Sequence, residues 1–261
     1  MNKINYQKEL EKILNDSKSR GTKLLLHSCC APCSSYVLTY LSSFFEITVF
    51  YYNPNITNDS EYNHRVFEQK RLIDCLNIET FSELPEWEKA LLKDLPNDLL
   101  ARERDKHTSL SVQDTENVVE YEEMDNSRSL VDLGIRFPIS VIEGEHDIES
   151  FYEASSGLEN EPEGGARCAK CFRLRLQRTL LEAKKIGAPF FGTTLTISPL
   201  KNAELINNIG FSLEDEEVRW LPSDFKKKEG YKHSIELSAK YELYRQNFCG
   251  CEFSKQDTIV D

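Results

Sequence analysis

The 261-residue sequence has no apolar run long enough to cross a bilayer, which excludes a helical membrane span. Its first thirty residues lack the apolar core of an export signal, so a cytoplasmic location is the expectation. No internal repeat is evident. Positive charge is also scarce: 32 Lys and Arg stand against 44 Asp and Glu, a net charge of -12. Taken as an average, that deficit argues against a nucleic-acid partner, because phosphate binding needs local positive charge. What is present is enough for a core. Hydrophobic residues make up 39% of the chain, which excludes wholesale disorder. The length suits one α/β domain over residues 1–261, or such a domain carrying an insertion.

The charge is unevenly spread. Residues 1–78 hold 9 basic and 8 acidic side chains, residues 79–163 hold 7 and 23, and residues 164–261 hold 16 and 13. The middle segment alone carries the negative balance, so the flanks retain the capacity to hold an anion. Within it, Glu120, Glu122, Glu123 and Asp125 cluster in a very polar span. Such a run reads as a solvated loop, and residues 79–136 as an acidic insertion within the α/β domain.

Seven of the eight cysteines fall in three tight groups: Cys29, Cys30 and Cys33; Cys168 and Cys171; Cys249 and Cys251. A chain of this length without an export signal has no need of a disulfide framework. Close grouping in a reducing compartment points to metal, iron–sulfur or redox chemistry. The lone Cys75, in a helical stretch, reads as a small buried hydrophobe.

The periodicity places these groups. A short helix over residues 4–15 precedes an apolar run, residues 23–27, suited to a buried strand. Pro32 fits the first turn of a helix over 32–45, and residues 46–52 form the next strand. A helix capped by Asp59 or Ser60 then runs to about residue 76. Strand, helix, strand, helix with short connections implies a parallel sheet covered on both faces. Further on, the pattern predicts strands over 135–142 and 189–196. It also predicts helices over 171–185, 200–209 and 235–245, the last capped by Ser234. In such a fold the functional groups gather at the carboxyl ends of the strands.

Cys29 and Cys30 directly follow the first strand. Neighbouring cysteines do not readily form a strain-free disulfide with each other, but two adjacent thiolates can reach different irons of one cluster. Cys168 and Cys171 form a CxxC at the start of a basic helix, whose N-terminus favours the thiolate. Together these four offer the sulfurs of a cubane cluster, and equally a tetrahedral zinc site. Cys33 completes a second CxxC with Cys30 and is either a ligand to an extra metal or a bystander on the helix. Cys249-Gly250-Cys251 suits a strained, easily reduced disulfide or a ligand pair. Asp224 is a proton-relay candidate, or else a cap or a salt-bridge partner at a turn. Arg167, Arg173, Arg175, Arg178, Lys201, Lys226 to Lys228, Lys232 and Arg245 could line an RNA-facing surface, with Tyr231, Tyr241 and Tyr244 for stacking.

The ordered motifs resemble one family. Residues 24–32 (LLLHSCCAP) and 51–56 (YYNPNI) with Glu61, Tyr62 and Arg65 are similar to the QueH family of epoxyqueuosine reductases. So are 163–171 (EGGARCAKC) with Phe172, Arg175 and Leu176, and 193–199 (TTLTISP) with Lys201 and Asn202. The block from Asp224 to residues 243–254 (LYRQNFCGCEFS) completes the likeness. The resemblance implies reduction of epoxyqueuosine to queuosine at the wobble position of tRNA, the last step of queuosine synthesis, without cobalamin. It implies a [4Fe-4S] cluster on Cys29, Cys30, Cys168 and Cys171, and a redox-active pair in Cys249 and Cys251. An additional iron beside the cluster is left open, as is the electron donor. The fold it implies is that of the nucleotide alpha-hydrolases, a three-layer parallel-sheet α/β architecture. Residues 28–32 stand where the ATP loop of that superfamily lies, so ATP activation is not expected. Two rival readings stand beside this one: a zinc-stabilised tRNA-binding protein without redox activity, and a tRNA-thiolating enzyme, against which the missing ATP loop speaks.

Overall fold

A computed structural model describes residues 4–82 and 137–254. In chain order the helices are α1 (Tyr6–Asn15), α2 (Ala31–Leu41), α3 (Asp59–Ser82), α4 (Ile148–Ser155), α5 (Ala166–Lys185), α6 (Ala203–Leu213) and α7 (Gly230–Lys240). The strands are β1 (Lys23–His27), β2 (Glu46–Tyr51), β3 (Ser140–Glu143), β4 (Phe190–Thr193) and β5 (Arg219–Trp220). The expected insertion lies outside the described residues except for 79–82, which complete α3. No helix among the described residues is long and apolar enough to cross a membrane.

All strand pairs are parallel, in the order β3-β2-β1-β4-β5. The apolar run of β1 explains its central place, since successive side chains point to opposite faces and both faces are covered. Leu24 and Leu26 pack with Ile47, Val49 and Phe190 against α2 and α3 residues such as Val37, Leu38, Leu72 and Ile73. Leu25 turns the other way, joining Phe191, then Phe172, Leu176 and Leu180 of α5 and Ile206 of α6. Each such aliphatic side chain contributes about 1.5–3 kcal/mol on full burial. The spacing 172, 176, 180 is the stripe that seats α5 on the sheet. α6 seats through a close approach instead: a Cβ on Gly210 would lie 2.2 Å from the Trp220 ring.

Several expected boundaries move for local reasons. Asn58, not Asp59 or Ser60, caps α3, its Oδ1 accepting the Glu61 amide at 2.9 Å. The strand expected over 189–196 stops at Thr193, and Leu195–Ile197 tighten into a 3-10 turn. The last helix starts at Gly230 rather than 235, so Ser234 lies inside it, bonded to the Tyr231 carbonyl at 2.7 Å. α4 and the two-residue β5 are not anticipated by the periodicity.

Strand order reverses between β1 and β4, the switch point at which open α/β sheets form a crevice beyond their carboxyl ends. Register holds both ends level, with His27 opposite Phe50 of β2 and Thr193 of β4. Ser28 to Cys30 leave β1 into that crevice.

Candidate active site

Cys30 caps α2 in an extended conformation, with Pro32 in the first turn. This short connection brings Cys29, Cys30 and Cys33 together, their sulfurs all within 4.8 Å of one another. Cys29 Sγ lies 3.9 Å from Cys30 Sγ and 3.6 Å from Thr194 Oγ1, at the end of β4. Cys33, which the sequence leaves between ligand and bystander, is thus the third member of the group. Hydrogen bonds from Cys30 and Cys33 hold the Cys29 thiol well below its ordinary pKa despite burial, aided by the Lys201 and Arg175 charges. The counterpart is that Cys30 is pushed up to about 12, chiefly by its bond to Cys29, and Cys33 is raised as well. One thiolate shared among three sulfurs is what a soft metal ion would replace its protons to bind.

Cys168 and Cys171 sit in the first two turns of α5. The Gly164 amide donates to Cys168 Sγ at 3.2 Å. Cys171 is buried, and burial pushes its thiol up to about 12. These two lie outside the close three-sulfur group, and Cys171 packs with Cys251, Phe151 and Phe253. All eight cysteines are free thiols.

Behind the cysteines lies a buried cation. Arg175 is 1% exposed, although its helix position had suggested an RNA-facing role. Its Nε donates to His27 Nε2 at 3.1 Å, Nη2 donates to Asn53 Oδ1, and Nη1 approaches Cys171 Sγ at 4.0 Å. Burial opposes its charge, but Cys171, Cys249 and Cys29 outweigh that and raise its pKa. A guanidinium buried here with no carboxylate paired to it among the described residues fits a site built for anionic sulfur. Arg167 is also buried, bonding the carbonyls of Leu158, Glu159 and Glu161. Neither arginine stands on the outer surface, and Tyr241 is buried too.

In front of the cysteines opens a cleft of about 290 Å³. Cys29, Cys30 and Cys33 line one side, and Cys249 lines it with Arg65, Lys201, Tyr231 and Arg245. A small adjoining hollow reaches Cys168 and shares Cys249 and Lys201 with the cleft. Burial works against the Lys201 charge, yet the neighbouring sulfurs of Cys249, Cys29 and Cys33 raise its pKa. Cys249 is therefore the residue that both hollows share with the redox candidates, while Cys251 is turned inward. Gly250 makes that reversal, with φ +98° and a notional Cβ 2.8 Å from Ile56 Cγ1. Asp224 is not among the lining residues of the cleft; it pairs with Lys226 at 3.0 Å.

The sequence left several contributors unassigned. Asn55 Nδ2 reaches the Cys249 carbonyl at 3.4 Å and its sulfur at 3.7 Å. Arg65 donates to the same carbonyl at 3.2 Å. Both lie in motif stretches, but nothing in their spacing points to a partner nearly two hundred residues away.

Sequence comparison with known proteins points to one family. The family model described as epoxyqueuosine reductase QueH matches residues 24–106 and 96–257. A Staphylococcus epidermidis protein named epoxyqueuosine reductase QueH is 33% identical over 264 residues, covering 99% of this chain and 88% of the relative. The Staphylococcus aureus protein of that name is 31% identical over 264 residues, covering 99% and 87%. The one from Thermotoga maritima is 36% identical over 143 residues, covering 53% and 74%. The chain belongs to the epoxyqueuosine reductase QueH family.

Proposed function

We propose that this chain reduces epoxyqueuosine to queuosine at the wobble position of tRNA, an oxidoreductase step in tRNA processing that completes queuosine biosynthesis. The observation that carries the reading is that Cys249 lines the same cleft as Cys29, Cys30 and Cys33. A volume of about 290 Å³ suits one nucleoside drawn out of the anticodon loop rather than a paired duplex. Arg245 and Lys201 on its wall supply positive charge for the flanking phosphates, and Tyr231 a stacking face.

The chemistry balances with the chain's own thiols. Epoxyqueuosine takes up two electrons and two protons, both carbon–oxygen bonds of the epoxide break, and the oxygen leaves as water while an alkene forms. Cys249 and Cys251, oxidised from two thiols to a disulfide, release two electrons and two protons. An external reductant, unidentified here, then restores the dithiol. A [4Fe-4S] cluster on Cys29, Cys30, Cys168 and Cys171 would supply single-electron transfer. Cys33 offers a further sulfur for an additional iron. Arg175 balances the negative charge of that sulfur environment from behind. Asp224, the proton-relay candidate, does not line the cleft, whereas Tyr231 does, and we assign Tyr231 to the leaving oxygen.

The test is anaerobic reconstitution with metal analysis, followed by nucleoside analysis of epoxyqueuosine-containing tRNA after incubation with a competent reductant. Iron, acid-labile sulfide and queuosine formation are expected. A zinc-loaded, colourless protein that binds tRNA without making queuosine would replace this reading with a zinc-stabilised binding protein.

A further inference from the structure

Arg65 is 2% exposed, yet its guanidinium reaches across to the far end of the described chain. Its Nε and Nη2 both meet Glu61 Oε1 at 2.7 Å, one turn earlier on α3. That carboxylate is held in turn by the Tyr244 hydroxyl at 3.2 and 3.3 Å. The remaining donors point at backbone: Nη1 to the Cys249 carbonyl at 3.2 Å and Nη2 to the Phe248 carbonyl at 3.5 Å. The Phe248 ring lies 5.0 Å from the guanidinium carbon. Two successive carbonyls, one of them that of Cys249, are therefore gripped by a single planar fork whose other edge is fixed by an acid.

We propose that Glu61 and Arg65 form a clamp that sets the position of Cys249 in the cleft, making Arg65 a positioning residue for the dithiol chemistry. The inference rests on the redox role assigned above to Cys249 and Cys251. The turn at Gly250 sends Cys249 to the cleft and Cys251 to the pocket of Phe151 and Cys171. The left-handed φ of +98° there favours glycine, which brings no side chain to anchor the turn. Fixing the two carbonyls just before the turn fixes where the Cys249 sulfur stands relative to Cys251 and to Cys29. A planar guanidinium is needed, because lysine presents one point charge and cannot hold the carboxylate and both carbonyls in one plane.

The experiment compares Arg65→Met, Arg65→Lys and Glu61→Gln with the parent holoenzyme. Three properties are read: the alkylation rate of Cys249 by iodoacetamide, mapped by mass spectrometry; the midpoint potential of the Cys249–Cys251 couple; and kcat and KM on epoxyqueuosine-containing tRNA. Arg65→Met is expected to change the alkylation rate at least fivefold and move the midpoint potential. It should lower kcat at least tenfold at unchanged KM, with metal content intact. Arg65→Lys should recover only part of the kcat. Glu61→Gln, which keeps the size of the side chain, should shift the alkylation rate in the same direction by a smaller factor, and decides the matter if Arg65→Met does not fold. Folded variants with parental alkylation rate and midpoint potential would overturn the clamp. So would a raised KM at parental kcat, which would make Arg65 a contact for the RNA instead. If the parent makes no queuosine, the alkylation rate and the potential still decide the clamp separately from the reaction.

Discussion

Arg175 donates to His27 Nε2 at 3.1 Å, inside the crevice from which Cys29 and Cys30 emerge. Arginine has only donors to offer, so toward Arg175 Nε2 accepts and the imidazole proton sits on Nδ1, which leaves the Tyr52 carbonyl, 3.2 Å from Nε2, without a proton from this ring. From Nδ1 the proton is donated to Thr193 Oγ1 at 2.8 Å. Complete burial first, and the Arg175 charge second, lower the His27 pKa to about 3.

A neutral histidine in the folded chain and a protonatable one in the unfolded chain make stability depend on pH. The unfolded chain binds the extra proton below its ordinary value of about 6.5, so stability falls as pH drops from there and keeps falling until about pH 3. Between pH 6.5 and pH 5 the loss from this one group is about 2 kcal/mol. Denaturant titrations at the two pH values measure it. His27→Gln, which can still accept from Arg175, should flatten the pH dependence over this interval. An unchanged slope in that variant would remove His27 from the account.

Replacing Arg175 by methionine tests the charge balance behind the cysteines. The substitution removes the only hydrogen bond to Asn53 Oδ1 found among the described residues, and removes a positive charge beside Cys171 and Cys29. Breaking a buried charge pair on one side costs about 3–5 kcal/mol. Arg175→Met is therefore expected to lower stability by that order and to lose bound metal, read by denaturation and elemental analysis. Parental metal content in a folded variant would contradict the role given to Arg175.

How much of this was legible follows from how each signal arises. The central strand and its cysteine loop could be read because β1 is apolar on both faces and its loop is chemically unusual. β5 could not, since two residues carry no period, and α4 is barely two turns long. Charge on a helix suggests solvent, and Arg175 therefore reads as exposed. Yet it lies four residues after Cys171 and one before Leu176, beside the stripe that seats α5 and among its buried residues. Ser234 reads as a cap because serine commonly is one; the helix instead begins after Glu229, whose left-handed backbone leaves no cap signature. The Arg65 grip on Cys249 joins positions 184 residues apart, a relation no local pattern encodes.

Gly250→Ala should disturb the thiol pair without touching either sulfur. A Cβ there meets Ile56 Cγ1 at 2.8 Å and forces an alanine into φ +98°. The left-handed conformation alone costs about 1–2 kcal/mol. Stability is expected to fall by at least that much and queuosine formation at least tenfold, measured by denaturation and nucleoside analysis. Parental activity would mean that the turn is not needed to separate Cys249 from Cys251.

Cys251→Ser separates the two thiol roles. Cys251 packs beside Cys171 and away from the three-sulfur group. Removing its sulfur should abolish multiple turnover while leaving the absorbance and iron content of the reconstituted protein unchanged. Simultaneous loss of iron would make Cys251 a ligand and dissolve the division of labour between cluster and dithiol.

Tyr231→Phe and Asp224→Asn decide the proton donor by contrast. Tyr231 lines the cleft with Cys29 and Cys249, whereas Asp224 is occupied by Lys226 at 3.0 Å. Removing a positioned general acid lowers rate by about 10²–10⁴-fold. Tyr231→Phe, which keeps the ring for stacking, is expected to lose kcat on that scale with KM close to parental. Asp224→Asn removes an ion pair outside the cleft lining and should change kcat less than threefold. The reverse pattern would return the donor role to Asp224 and would require the loop after β5 to move toward the cleft when tRNA binds.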